Sequence, residues 1–219
     1  LDAGIKKVLA LSTDKAVNPI NLYGATKLAA EKLIIQSNSY AGGMATRFSC
    51  VRYGNVVGSR GSVVPIFLQQ RASGKLTITD ERMTRFWLTL EQGVRFVTHC
   101  IEIMHGGEVF VPKIPSMKII DLAKAIAPET NLEVVGIRPG EKIHEVMCPA
   151  DDSHLTLEFD DHFVIRPTIT FNEHGNSYSP NRLGAVGRVV PEGFEYSSGR
   201  NEWFLSEAEI LEVNRVAGA

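Results

Sequence analysis

The stretch Ser12-Thr13-Asp14-Lys15-Ala16-Val17-Asn18-Pro19-Ile20-Asn21-Leu22-Tyr23-Gly24-Ala25-Thr26-Lys27 decides how this 219-residue chain is read. The apolar run Val8-Leu9-Ala10-Leu11 before it has the makeup of a buried strand, Asn18-Pro19 reads as a turn, and a helix is expected from Leu22 to about Ser37. Tyr23 and Lys27 stand four residues apart, so both side chains leave one face of that helix. A strand ending at Leu11 delivers Ser12, Thr13, Asp14 and Lys15 to the carboxyl edge of a sheet, where open α/β sheets hold their ligands.

That arrangement has a chemical use. A phenol is a poor base near neutral pH, and a lysine ammonium one helical turn away favours the phenolate, which can take a proton from a sugar or alcohol hydroxyl. The same spacing is met by a helix with one packed aromatic and one solvated lysine.

Outward from this stretch, the hydrophobic content of 44% and the length fit one domain, or two small ones, with an ordinary core. A net charge of -2 suggests neither nucleic acid nor an anionic membrane as a partner. Cys50, Cys100 and Cys148 stand singly in apolar surroundings, as reduced structural thiols do, and the six histidines show no ligand spacing, so no metal is expected. No apolar run is long enough to span a bilayer, and a soluble cytoplasmic protein is expected.

Residues 46 to 53 read as a strand, Val63 to Ala72 as a helix, and Leu76 to Thr79 as a short strand. Leu90 to Met104 reads as a helix with Val94, Val97 and Ile101 on one face, and Gly107 to Pro112 as a buried strand. A short helix over Ile119 to Ala127 and a strand over Leu132 to Ile137 follow. Gly, Pro, Asn and Ser thicken between about Asn172 and Pro191, which suggests loops. In the catalytic helix Leu28, Leu33 and Ile34 are the expected apolar side.

Ser12-Thr13, the Asn18-Pro19 turn, and small Gly24, Ala25 and Ala29 around Tyr23 together resemble the extended branch of the short-chain dehydrogenase/reductase superfamily. Longer strings narrow the resemblance. The segments Ser12 to Ala16, Asn21 to Lys27, Arg52 to Pro65, Met83 to Trp87, Phe110 to Pro115 and Arg138 to Lys142 are similar to the C5-inverting UDP-N-acetylglucosamine 4,6-dehydratases, over about Ala10 to Ser198.

The resemblance implies an α/β fold, the C-terminal part of a Rossmann-type doubly wound parallel sheet interleaved with a smaller α/β substrate domain. Residues 1–57 and 84–113 would belong to the dinucleotide-binding domain, and 58–83 and 114–219 to the sugar-nucleotide domain. It implies a lyase in which Thr13, Asp14, Lys15, Tyr23 and Lys27 are catalytic, in the first step of pseudaminic acid synthesis for flagellin glycosylation. A nicotinamide cofactor, NADP with NAD left open, would lie by Ser12, Tyr23, Lys27 and Tyr53. The UDP-sugar would be held by Asn55, Arg60, Arg85, Arg138 and Glu141, the arginines pairing with phosphate oxygens. Scattered arginines are otherwise usually solvated surface. A cytoplasmic homo-oligomer is also implied.

A dinucleotide enzyme carries a Gly-rich turn after its first strand. Gly54, Gly58 and Gly61 have a workable spacing for one, but they follow the Tyr23 helix, and the resemblance assigns them to the substrate side. The dinucleotide turn and first strands are thus expected to lie outside these 219 residues, and the chain alone to be catalytically silent. A retaining 4,6-dehydratase, a 4-epimerase and a sugar-nucleotide-binding module without chemistry remain open. An epimerase has no need of the Asp14-Lys15 pair, and several membrane-anchored relatives have Met in place of Tyr23.

Overall fold

The apolar runs expected as strands ahead of Lys113 are strands in the computed structural model, which describes residues 1–59, 62–169 and 178–218. In chain order the main elements are β1 (Lys7–Leu11), α1 (Leu22–Ala41), β2 (Arg47–Val51), β3 (Asn55–Val56), α2 (Val63–Arg71), β4 (Lys75–Ile78), β5 (Thr84–Leu88) and α3 (Leu90–Ile103). They continue with β6 (Val109–Pro112), β7 (Ser116–Lys118), α4 (Ile119–Ile126), β8 (Asn131–Val134), β9 (Val146–Cys148), β10 (Thr156–Glu158), β11 (His162–Ile165), β12 (Arg188–Val189) and α5 (Glu207–Val216). The chain divides into two units, one of Leu1–Tyr53, Val94–Lys113 and Val146–Tyr196, the other of Gly54–Gly93, Ile114–Glu145 and Ser197–Ala219.

In the first unit a six-stranded sheet runs β1-β2-β6-β11-β10-β12. β1, β2 and β6 are parallel, the mark of α/β crossover units, whereas β11, β10 and β12 are added antiparallel. The pairing of β11 with β6, His162 opposite Pro112 through Ile165 opposite Val109, places 146–196 in this unit rather than with 114–145. This division differs from the one drawn from sequence, which also grouped 84–93 with the first set of segments. One face of the sheet buries Val51, Phe110, Leu157 and Val164 with Cys100, Ile103 and Met104.

α3 turns a different face inward from the one expected. Cys100 and Ile103 are buried and Val97 packs beside them, whereas Val94 is 56% and Ile101 is 40% exposed. Positions 94, 97 and 101 share a helical stripe, but so do 96, 97, 100 and 103, and small Cys100 fits the closer approach.

α1 is longer than expected, ending at Gly42, whose φ of 49° suits a glycine after a helix. Its buried positions are Gly24, Glu31, Asn38 and Ala41. The expected apolar side is corrected in part: Leu33 is 70% exposed, with Leu28 and Ile34 half-buried. The helix docks by polar bonds instead. Asn38 both accepts from the Phe48 N–H at 3.0 Å and donates to the Phe48 carbonyl at 2.8 Å, which fixes α1 along β2.

The second unit has a three-stranded sheet, β3-β5-β7, and the parallel pair β4-β8. Its core gathers Val64, Phe67, Leu76, Ile78, Trp87, Met117 and Leu122, with Ile210 from α5. α5 opens with a capping box in which Ser206 and Glu209 bond each other's backbone N–H.

Candidate active site

In the first unit, the end of β1 passes straight into a single 3₁₀ turn, Asp14–Ala16. The Thr13 hydroxyl donates to Asp14 Oδ1 at 2.8 Å, and Lys15 Nζ lies 3.1 Å from the same oxygen. Asp14 is wholly buried, its N–H donates to the Tyr53 carbonyl at 3.1 Å, and its Oδ2 has no partner. A buried carboxylate oxygen left unbonded is costly, so this one is poised for a bound hydroxyl, accepting from it when ionised or donating to it when protonated.

α1 starts where Asn21 Oδ1 accepts from the Gly24 N–H at 2.8 Å. Tyr23 follows at once and is 54% exposed, and Lys27 Nζ donates to the Leu11 carbonyl at 3.1 Å, which ties the helix to the end of β1. Tyr53 lies in the same neighbourhood: burial first, then the charges of Tyr23 and Asp14, hold its phenol above the ordinary value. The Ser12 hydroxyl, expected beside the cofactor, donates to Glu31 at 2.8 Å. Glu31 also accepts from Arg52 at 2.6 and 3.0 Å, and Arg52 donates onward to the Met147 carbonyl at 2.7 Å. Glu31 and Arg52 were not singled out from sequence. A charged pair made by the tenth residue of a helix and the residue just past a strand is a weak signal, but Glu at the fourth position after Lys27 shares its face.

Gly24 is small for a packing reason. A Cβ there would lie 2.3 Å from the Lys15 carbonyl oxygen and 2.9 Å from Cβ of Pro19. Gly24→Ala is therefore expected to destabilise the protein by about 1–3 kcal/mol, outweighing the roughly 1 kcal/mol by which alanine favours a helix. A urea midpoint unchanged or raised would contradict this packing.

The second unit holds a cavity of about 280 Å³ that brings together Asn55, Arg85, Arg138 and Glu141. Four of the five residues expected to bind a sugar nucleotide thus line one space; the fifth, Arg60, lies outside the described residues, as does Gly61. Arg138 and Glu141 approach within 3.8 Å. The Arg85 guanidinium donates to the carbonyls of Thr84 at 2.7 Å and Ile143 at 3.1 Å, which fixes the side chain beside the cavity. Ser62 and Trp87 also line it and were missed, although Trp87 follows Arg85 by two on a strand and so shares its side. Gly54 is needed for contact with β5, since a Cβ would fall 2.4 Å from that of Phe86.

Cys50, Cys100 and Cys148 are free and buried, and burial pushes the Cys50 and Cys148 thiols up to about 12, so they are inert. Among the described residues no group of three or more His, Cys, Asp or Glu is placed to hold a metal ion, and no helix is long and apolar enough to cross a membrane.

Parallel strands, a Ser-Thr strand end and a Tyr-x-x-x-Lys helix against it define a domain of the short-chain dehydrogenase/reductase type. The chain belongs to the polysaccharide biosynthesis protein family, whose pattern matches residues 1–167. It is 57% identical over 212 residues to the UDP-N-acetylglucosamine 4,6-dehydratase (inverting) of Campylobacter jejuni, covering 96% of this chain and 64% of that relative. Pen from Bacillus thuringiensis, solved by X-ray crystallography, is 32% identical with a TM-score of 0.82, over 98% of this chain and 63% of that one. A dTDP-glucose 4,6-dehydratase from Streptomyces venezuelae, solved with NAD bound, shares the fold at 18% identity, with a TM-score of 0.54 over 64% of this chain and 53% of that one. The chain thus spans just under two thirds of the length of this dehydratase relative.

Proposed function

We propose that this chain carries the catalytic helix and the sugar-nucleotide site of a C5-inverting UDP-N-acetylglucosamine 4,6-dehydratase. The observation that carries this is the Thr13-Asp14-Lys15 cluster, an acid and an amine 3.1 Å apart with one buried carboxylate oxygen unpartnered. An epimerase acting at C4 alone has no use for that pair. The first unit takes the dinucleotide side and the second the UDP-sugar. Half-exposed Tyr23, with Lys27 anchored at the carboxyl end of β1, fits a nicotinamide, NADP being the expected form and NAD the alternative. The resemblance extends the proposal to a cytoplasmic homo-oligomer at the start of pseudaminic acid synthesis.

A nicotinamide held by Ser12, Tyr23, Lys27 and Tyr53 would supply the hydride chemistry needed at C4 and C6. The chain's own residues move the protons. Tyr23 takes the proton of the C4 hydroxyl, with Lys27 beside it to favour the phenolate. Thr13 holds the new C4 ketone, which acidifies C5. Lys15 removes the C5 proton, while Asp14, protonated, delivers its proton to the departing C6 hydroxyl, so that water leaves. C5 then takes a proton from solvent on the opposite face, which inverts it.

Lys15→Ala tests the assignment in a chain extended to the length of these relatives. Exchange of solvent deuterium into C5 should vanish, while UDP-N-acetylglucosamine binding persists. Exchange at the unsubstituted rate would show that another base does this work.

A further inference from the structure

Trp87 is 1% exposed, within the core of the second unit, yet its indole Nε1 has no hydrogen-bond partner. Buried indole N–H groups are nearly always bonded, so this one asks for an acceptor. The side chain lines the 280 Å³ cavity, and Asn55 stands opposite it in the β3-β5 register. Asn55 Oδ1, Ser62 Oγ and Glu141 Oε2, all from residues lining the same cavity, are likewise buried without partners. Four such atoms around one space are the pattern of polar groups that a ligand satisfies.

The surroundings specify the acceptor. Arg85 precedes Trp87 by two on β5 and shares its side. Ser62 and Val63 bring the start of α2 to the cavity, and Ser62 makes no side-chain cap bond there, at the helix end that suits an anion. A guanidinium and a helix start beside the indole favour a charged oxygen over a neutral one.

We propose that Trp87 binds the nucleotide directly, its indole N–H donating to a phosphate oxygen of a nucleoside diphosphate. This rests on the reading of the cavity as the sugar-nucleotide site.

The 219-residue chain has two tryptophans, so a ¹⁵N-labelled sample gives two indole N–H resonances, with half-exposed Trp203 as the internal control. Titration with UDP should move the Trp87 resonance and leave Trp203 in place, whereas uridine, without phosphate, should leave both unmoved. By calorimetry Trp87→Phe, which keeps an aromatic ring but removes the N–H, should bind UDP about tenfold more weakly and uridine unchanged. An unmoved Trp87 resonance in a chain that binds UDP overturns the inference and leaves the site reading standing. Equal loss of UDP and uridine in Trp87→Phe overturns the phosphate contact. A chain that binds no UDP overturns the site reading itself. The resonance test uses the unsubstituted protein, so it stands even where the variant does not fold.

Discussion

Tyr23→Phe, in a chain extended to the length of its dehydratase relatives, is expected to lower turnover by about 10²-fold or more. Phenylalanine keeps the ring on α1 and removes the one atom that can accept the C4 hydroxyl proton. Tyr23 is 54% exposed and no side-chain hydrogen bond of its phenol is among the described contacts, so the substitution should leave the fold intact. UDP-N-acetylglucosamine should bind with nearly unchanged affinity, because the residues expected to hold it belong to the second unit. The loss should therefore fall on kcat with little change in KM, the sign of a group used in the transition state rather than in binding. Turnover at the unsubstituted rate would remove Tyr23 from the mechanism.

The largest expected effect on stability belongs to Glu31→Ala. Glu31 and Arg52 are 2% and 3% exposed, and the substitution leaves the guanidinium buried without its counter-charge and Ser12 without its acceptor. Removing one partner of a buried pair costs about 3–5 kcal/mol, far more than an exposed pair is worth. Urea denaturation at neutral pH should show that loss. Burial alone would raise the Glu31 carboxyl, but the Arg52 charge and the hydrogen bonds from Arg52 and Ser12 outweigh it and hold the group below the ordinary glutamate value. A carboxylate lowered on folding stabilises the protein above its unfolded value, near ~4.3, and that contribution disappears as pH falls through the lower folded value. The acid limb of stability should accordingly be shallower in Glu31→Gln than in the unsubstituted protein. An equal limb would mean that the pair adds nothing to acid sensitivity.

The segment Ser12 to Lys27 was legible because all its signals are local: a strand end, an Asn-Pro turn and two side chains one helical turn apart. The docking face of α1 was not, because hydrophobic periodicity cannot show a helix that is held by Glu31 and Asn38 rather than by leucine. The sheet's antiparallel half was also out of reach. β10, β11 and β12 have three, four and two residues, too few for an alternation, and their place is set by long-range pairing with β6. In the second unit the residue types Asn55, Arg85, Arg138 and Glu141 pointed to a phosphate and hydroxyl ligand through resemblance. Trp87 was not singled out with them, and its unpartnered N–H is visible only once the cavity is folded.

Whether Tyr23 works with an acid-base pair built from Asp14 and Lys15 is decided by one reaction. UDP-N-acetylglucosamine is incubated in deuterated water with the chain extended to its relatives' length, and the product is read by proton NMR. The expected product is a 4-keto-6-deoxy sugar of inverted C5 configuration with one solvent deuterium at C5. A product altered at C4 alone, with no deuterium at C5, would contradict it.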